Sequence, residues 1–124
     1  MKKIIATPQA PAAIGPYSQA VEANGLLFIS GQIPVNPADG STPTDIVGQT
    51  EQVMKNIGAI LKAAGLGYEH IVKTTCLLST MDHFGPMNEV YGKYFPKDQP
   101  ARAAFAVVKL PKGVLVEIEA IAAR

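Results

Sequence analysis

The sequence predicts an α+β fold in which strands lie at both ends of the chain and two helices lie between them. Three observations lead to this prediction. A long amphipathic segment begins at Ile46, a weaker helical pattern runs from about His83 to Phe95, and the other ordered segments have the composition of strands. Because strands, helix, strand, helix and strands follow one another, a sheet with both helices packed on one face is the simplest arrangement.

The first helix is the best-defined element. Apolar residues recur at three- and four-residue steps from Ile46 to Ala64, as the buried face of a helix requires. Thr44 and Asp45 offer side-chain oxygens that can cap its first turn, and Gly65 suits a left-handed residue after its end. One face of this helix is therefore expected in the core.

The second helix has apolar residues on one stripe and weaker ends. Asp82 is its expected cap, and Pro86 falls in the first turn, where a missing N–H costs least. Gly92 weakens the middle of the helix. The apolar stripe consists of Phe84, Met87, Tyr91, Tyr94 and Phe95.

Six segments have the composition of strands. Bulky and β-branched residues between turn formers identify them. They are Lys3–Thr7, Tyr17–Glu22, Leu26–Gln32, Ile71–Leu78, Ala103–Lys109 and Val114–Ala122. The last two flank the turn-forming residues Leu110–Gly113, which predicts an antiparallel hairpin.

Length and charge exclude several classes of protein. The chain has 124 residues, 48% of them hydrophobic, which suits one domain over residues 1–124. Its 11 basic and 10 acidic side chains give a net charge of +1, so nucleic acid is not an expected partner. The single cysteine cannot form an internal disulfide, and no apolar run is long enough for a signal peptide or a membrane span. A cytoplasmic domain without a membrane partner is expected.

Most standard catalytic arrangements lack their residues. Cys76 lies in the middle of a strand, where a cysteine is usually a small buried apolar residue. His70 and His83 have no ligand spacing to each other or to Cys76, so no metal site is predicted. Ser30 does not lie in a Gly-x-Ser-x-Gly motif.

Arginine usage is the first functional signal. The two arginines are Arg102 and the last residue of the sequence, Arg124. Arg102 begins a strand among small and apolar residues, and a guanidinium there can bind a ligand carboxylate through two parallel hydrogen bonds. The structural alternative is an ion pair between Arg102 and a neighbouring carboxylate of the chain.

Glu117 and Glu119 form a second signal, because side chains two residues apart on a strand share a face. Either could act as a general base toward water, or both could be solvated, and their spacing does not choose between these roles. The hairpin would keep them near the strand of Arg102. Leu115 and Ile121 share their face, and such a part-apolar face favours a second subunit packed across the sheet; the alternative is an ordinary solvated face.

A third group lies early in the chain. Tyr17 follows a rigid Gly-Pro turn, and Ser30 and Gly31 end an apolar strand. Backbone N–H groups at such a strand end can approach a ligand oxygen.

These segments together resemble the Rid (YjgF, reactive intermediate deaminase) family. The motifs that carry the resemblance are Ala13–Ala20, Phe28–Pro34, Pro100–Arg102 and Glu117–Ala122, in that order. The resemblance covers essentially the whole chain. It implies a chorismate-mutase-like fold that forms a homotrimer, with three sites in the clefts between subunits. It also implies hydrolysis of enamine or imine products of pyridoxal-phosphate dehydratases, of the 2-iminobutanoate and 2-iminopropanoate type, to 2-oxo acids and ammonia.

The resemblance also implies roles for individual residues. Arg102 matches the arginine that holds the substrate carboxylate, and Glu117 matches the acidic residue associated with the hydrolytic water. The other matching pocket residues are Tyr17, Ser30, Gly31 and Asn88. No cofactor is implied, since an imine is already electrophilic. The chain departs from many relatives at Ala103 and Ala104, where those have a hydroxyl residue and a cysteine.

Two other functions stay open at this point. One is a non-catalytic protein that binds small carboxylic acids or acts as a regulatory subunit; it would keep Arg102 but would not need Glu117. The other is an endoribonuclease or translation inhibitor, a description that members of the family also carry. The near-neutral charge and the absence of a basic stripe disfavour the second.

Overall fold

The computed structural model describes all 124 residues as one six-stranded sheet and two α-helices. The strands are β1 (Lys3–Ile5), β2 (Ala20–Ala23), β3 (Leu26–Gln32), β4 (Ile71–Leu78), β5 (Ala101–Ala106) and β6 (Val116–Ala123). The helices are α1 (Ile46–Ala63) and α2 (Phe84–Gly92). Three short 3₁₀ turns lie at Tyr68–His70, Met81–His83 and Pro111–Gly113.

The sheet is mixed, in the order β1-β2-β3-β6-β4-β5. All neighbours are antiparallel except β4 and β5, which are parallel. The predicted hairpin between the last two strands is wrong: residues 110–113 do turn, but β6 inserts between β3 and β4 instead of pairing with β5. A central position buries the more apolar β6 and pairs it on both sides, whereas the alanine-rich β5 is left at the edge.

Helix α1 begins and ends close to the predicted residues. The Asp45 side chain accepts a hydrogen bond from the Gly48 N–H at 3.3 Å, which confirms the predicted cap. Gly65 has φ = 75°, the left-handed conformation expected after the helix. The buried face includes Val53, Met54, Ile57, Ile60 and Leu61.

Helix α2 is shorter than predicted, and its cap is different. Thr80 accepts a hydrogen bond from the Asp82 N–H and starts the 3₁₀ turn that leads into α2, so Asp82 is not the cap. Pro86 lies in the first turn as predicted, and Gly92 is the last helical residue. Phe95 lies beyond the helix but is buried in the core.

The core lies between one face of the sheet and the two helices. Val116, Ile118 and Ala120 of β6 point to the helices and are buried, as their alternation predicts. The opposite face keeps large apolar side chains exposed, among them Phe28 at 44% and Phe105 at 47%. We call this exposed side the open face of the sheet.

Gln19 fastens the N-terminal segment to this core, and its replacement by leucine is expected to destabilise the fold. The side chain is buried; it accepts from the Thr7 N–H at 2.7 Å and donates to the carbonyls of Thr7 and Pro11 at 3.0 and 2.7 Å. Leucine leaves these buried backbone groups unpaired, so the free energy of unfolding should fall by about 2–3 kcal/mol. Urea unfolding measures the loss.

The control for this prediction is Gln9→Leu, since Gln9 lies on the same segment with an exposed side chain. That variant should change the free energy of unfolding by less than about 0.5 kcal/mol. Equal effects of the two substitutions would mean that the Gln19 hydrogen bonds contribute no net stability.

Candidate active site

Arg102 lies on the edge strand β5, on the side of the sheet that carries the helices. It pairs in register with Thr74 of β4, which in turn pairs with the buried Ala120 of β6, so the three residues share the helix face. The Arg102 Nη1 donates a hydrogen bond to the Asn88 Oδ1 at 2.6 Å. Two residues predicted for the site, Arg102 and Asn88, are thus in direct contact.

The Arg102 guanidinium has no carboxylate partner in the chain. Its Cζ lies 5.3 Å from the ring centroid of Phe84 and 5.0 Å from that of Tyr91. The only ion pair in the structure joins Arg124 to Glu22 at 2.9 Å. The structural alternative, an arginine neutralised by a neighbouring carboxylate, is therefore wrong for Arg102, and its charge is available to a ligand.

A cavity of about 490 Å³ lies beside this arginine. Besides Arg102 and Asn88 it is lined by Tyr91, Gly92, Phe95, Pro96, Gln99 and Pro100. Its walls are the last turns of α2 and the loop that leads into β5. We call Arg102 and Asn88 the arginine half-site.

Glu117 lies on the open face of the sheet, opposite the side of Arg102. It pairs with Leu77 of β4, whereas its neighbours Val116 and Ile118 point into the core. Burial raises the pKa of the Glu117 carboxyl above its usual value, and the charge of Glu119 raises it further. A carboxyl group of this kind can exchange protons nearer to neutral pH than a solvated one.

Gly31 is the close neighbour of Glu117. A Cβ at position 31 would collide with the Glu117 Oε2, so only glycine leaves the carboxylate its present position. The register of β3 against β6 shifts between Ile29 and Gln32, which places this glycine at a bulge beside β6. The absence of a side chain at position 31 therefore gives Glu117 its room.

Ser30 and Tyr17 lie next to this pair. The Ser30 Oγ donates to the Ser18 carbonyl at 2.5 Å, and its N–H donates to the Gln19 carbonyl at 3.0 Å. Of the strand-end N–H groups that could approach a ligand oxygen, that of Ser30 is therefore already paired, because β3 continues its pairing past Ile29. Tyr17 is exposed and lines a groove of about 600 Å³ together with Gly31. We call Glu117, Gly31, Ser30 and Tyr17 the glutamate half-site.

Gln32 lines the same groove and is not among the predicted site residues. Its side chain is buried, and its Oε1 is the one buried side-chain polar atom without a hydrogen-bond partner. The sequence signal for Gln32 is its position directly after two predicted site residues, Ser30 and Gly31.

Cys76 and the two alanines lie near the arginine half-site without adding polar groups to it. Cys76 is fully buried, as predicted, and burial raises the pKa of its thiol to about 11. Ala104 pairs with Cys76 in the sheet, whereas Ala103 points to the open face. The two residues that follow Arg102 are thus apolar, one on each side of β5.

The structure has neither a cluster of metal-binding side chains nor a helix suited to a membrane. No three side chains of His, Cys, Asp or Glu lie together in a way that could hold a metal ion. No helix has the length and apolar character needed to cross a membrane.

Comparison with known proteins gives consistent matches over nearly the full chain. Residues 7–124 match the family model described as endoribonuclease L-PSP. The chain is 51% identical over 123 residues to 2-iminobutanoate/2-iminopropanoate deaminase of Mus musculus, an alignment that covers 98% of this chain and 91% of the mouse protein.

Solved structures are equally similar. The Rid-family protein YyfA of Yersinia pestis is 48% identical, with a TM-score of 0.97 and complete coverage of both chains. The structure of Escherichia coli TdcF with bound serine is 44% identical, with a TM-score of 0.95 and 98% coverage of both chains.

Proposed function

Because this chain belongs to the endoribonuclease L-PSP family, the YjgF/Rid family, and is an enzyme of its deaminase type, we propose that it hydrolyses imines of the 2-iminobutanoate and 2-iminopropanoate type. The products are the 2-oxo acid and ammonia. The observation that carries the proposal is the un-neutralised Arg102 guanidinium beside a cavity. A cation held there by a neutral amide is ready to bind the carboxylate of a small imino acid.

In the proposed reaction, Arg102 and Asn88 hold the substrate and Glu117 handles water. Arg102 binds the carboxylate and so fixes the position of the neighbouring C=N carbon. Glu117 accepts a proton from a water molecule whose oxygen forms a bond to that carbon. The proton then passes to nitrogen, which gives a carbinolamine with one hydroxyl and one amino group. Glu117 next takes the hydroxyl proton and delivers it to the amino nitrogen, so that the C–N bond breaks, the C=O group forms and ammonia leaves. The raised pKa of Glu117 helps the carboxyl both to take up and to return this proton.

The two half-sites lie on opposite faces of the sheet, so we propose that each active site forms between two subunits of a homotrimer. Arg102 and Asn88 of one subunit would face Glu117, Gly31 and Tyr17 of the next. The open face supports this arrangement, since it carries exposed Phe28 and Phe105 that a second subunit would cover. TdcF with bound serine supports a small amino or imino acid as ligand.

The proposed function is tested by an assay that generates the imine in place. A threonine or serine dehydratase produces it, and an amine trap competes with hydrolysis. Native protein should increase the yield of 2-oxo acid and decrease the trapped product, and Arg102→Ala should not. Binding of 2-oxobutanoate without any effect on the imine would instead identify a small-acid binding protein, and RNA cleavage retained by Arg102→Ala would favour the ribonuclease alternative.

Subunit mixing tests the shared site. Arg102→Ala and Glu117→Gln subunits, each inactive alone, should regain about one quarter of the native activity when refolded together in equal amounts. This fraction arises because half of the subunits supply an intact arginine half-site and half supply an intact glutamate half-site.

The matched control mixes Arg102→Ala with Asn88→Leu. Both substitutions damage the arginine half-site, so no intact site can form and no activity should return. No gain in the first mixture, although the subunits assemble, would mean that Arg102 and Glu117 of each site come from the same subunit and would contradict the proposal. Sedimentation of each mixture confirms that the subunits have assembled.

A further inference from the structure

Helix α2 presents three side chains to Arg102 along one stripe. Phe84, Asn88 and Tyr91 are spaced i, i+4 and i+7, which puts them on the same side of a helix. Asn88 accepts the 2.6 Å hydrogen bond, and the two rings lie on either side of it along the helix, with centroids 5.3 and 5.0 Å from the guanidinium carbon. These distances are within the range of cation–π contact.

We propose that Phe84 and Tyr91 are positioning residues, which hold the Arg102 guanidinium in the orientation that binds the substrate carboxylate. The inference rests on the proposed function. It adds an explanation of how Arg102 is held in its binding orientation before the substrate arrives. It assigns to the two rings a role beyond filling the core, which the apolar stripe alone predicts.

The chemistry of the contact supports this role. An exposed arginine on an edge strand has many rotamers, and restricting them on binding weakens affinity for the ligand. Aromatic faces restrict the guanidinium without using its N–H donors and without neutralising its charge. A carboxylate of the chain would restrict it equally well but would compete with the substrate. Neutral partners are therefore the ones that position this arginine and leave it free to bind.

The Tyr91 ring is itself fixed by the sheet. Its hydroxyl forms a buried hydrogen bond of 2.8 Å with the Thr74 Oγ1. Thr74 is the residue that pairs in register with Arg102 across β4 and β5. The same pairing thus sets both the backbone of Arg102 and the ring against which its guanidinium rests. Phe84 has no hydroxyl and contributes only its face.

The test compares Phe84→Leu with Phe84→Tyr and with a control elsewhere on α2. Loss of the aromatic face in Phe84→Leu should raise KM for the imine about 3- to 10-fold, with kcat changed less than about 2-fold. Phe84→Tyr restores a ring and should reverse most of the increase. Val90→Ala removes buried apolar volume from the same helix; it should lower the unfolding temperature and leave KM unchanged. An increase of KM that merely follows lost stability would therefore appear in Val90→Ala as well, and would overturn the inference.

A second readout separates this inference from the proposed function. The dissociation constant of 2-oxobutanoate, measured by calorimetry, does not depend on turnover and should rise in Phe84→Leu by the same factor as KM. Binding without imine hydrolysis would refute the proposed function, and the variant would still report on the positioning of Arg102. Hydrolysis with unchanged KM and unchanged binding in Phe84→Leu would refute the positioning role alone. Absence of both hydrolysis and binding in the native protein would refute both.

Discussion

Replacing Arg102 by lysine is expected to reduce kcat/KM for imine hydrolysis by about two to three orders of magnitude, mainly through KM. Lysine keeps the positive charge but loses the planar pair of N–H donors that binds a carboxylate at two points. It also loses the flat surface that contacts the Phe84 and Tyr91 rings and the hydrogen bond to Asn88. Steady-state kinetics with dehydratase-generated imine measure the loss.

Arg124→Lys is the matched control, because it makes the same exchange at the other arginine of the chain. Arg124 donates to both carboxylate oxygens of Glu22 and to the Ala64 carbonyl. None of these partners belongs to either half-site. Its replacement should lower stability slightly and leave kcat/KM unchanged. Retention of more than about one third of native kcat/KM by Arg102→Lys would mean that charge alone suffices and would contradict a two-point grip.

Replacing Glu117 by glutamine is expected to reduce kcat by about 10²- to 10⁴-fold, with a smaller change in KM. Glutamine has nearly the same shape, so it should fit beside Gly31 as the carboxylate does, but it cannot accept a proton from water. Single-turnover measurement of imine hydrolysis isolates this step from product release. Unchanged kcat would remove Glu117 from the proposed reaction.

The pH dependence of activity tests the role of Glu117 in a second way. Activity that needs the ionised carboxylate falls as the pH decreases through its pKa, which lies above the usual value because of burial and the charge of Glu119. Glu119→Gln removes the second cause, so the pKa of Glu117 decreases and the acid limb of kcat/KM moves to lower pH. A limb that stays in place or moves upward would contradict this electrostatic coupling.

Much of the fold could be predicted because it depends on local periodicity and on capping groups. Apolar residues recur at helical spacing from Ile46 to Ala64. Asp45 caps the start of this helix, and Gly65 takes the left-handed conformation after its end. The partner of β6 could not be predicted in the same way. Two strands that follow one another with a turn between them favour a hairpin. The position of β6 in the centre of the sheet depends instead on contacts with strands that are distant in the sequence.

The candidate site was predictable as residue types but not as geometry. The scarcity of arginine identifies Arg102, and the resemblance identifies Glu117 and Asn88. The alternation of β6 predicts that Glu117 lies on the face away from the helices, whereas the face of Arg102 depends on the pairing of β5 with β4, and the room beside Glu117 depends on the shift in register at Gly31. The spacing of Tyr91 on the helix predicts only a place in the core, because a buried aromatic residue and one that contacts an arginine recur at the same spacing.

The central position of β6 has a consequence for how the protein is made. β3 and β4 are the two neighbours of β6, and they are not paired with each other. During synthesis on the ribosome, the chain up to Gly113 therefore exposes two strand edges that have no partner until Val116 to Ala123 emerge. Such edges are open to pairing with other nascent chains, so release and closure of the final segment should set the yield of native protein at high expression.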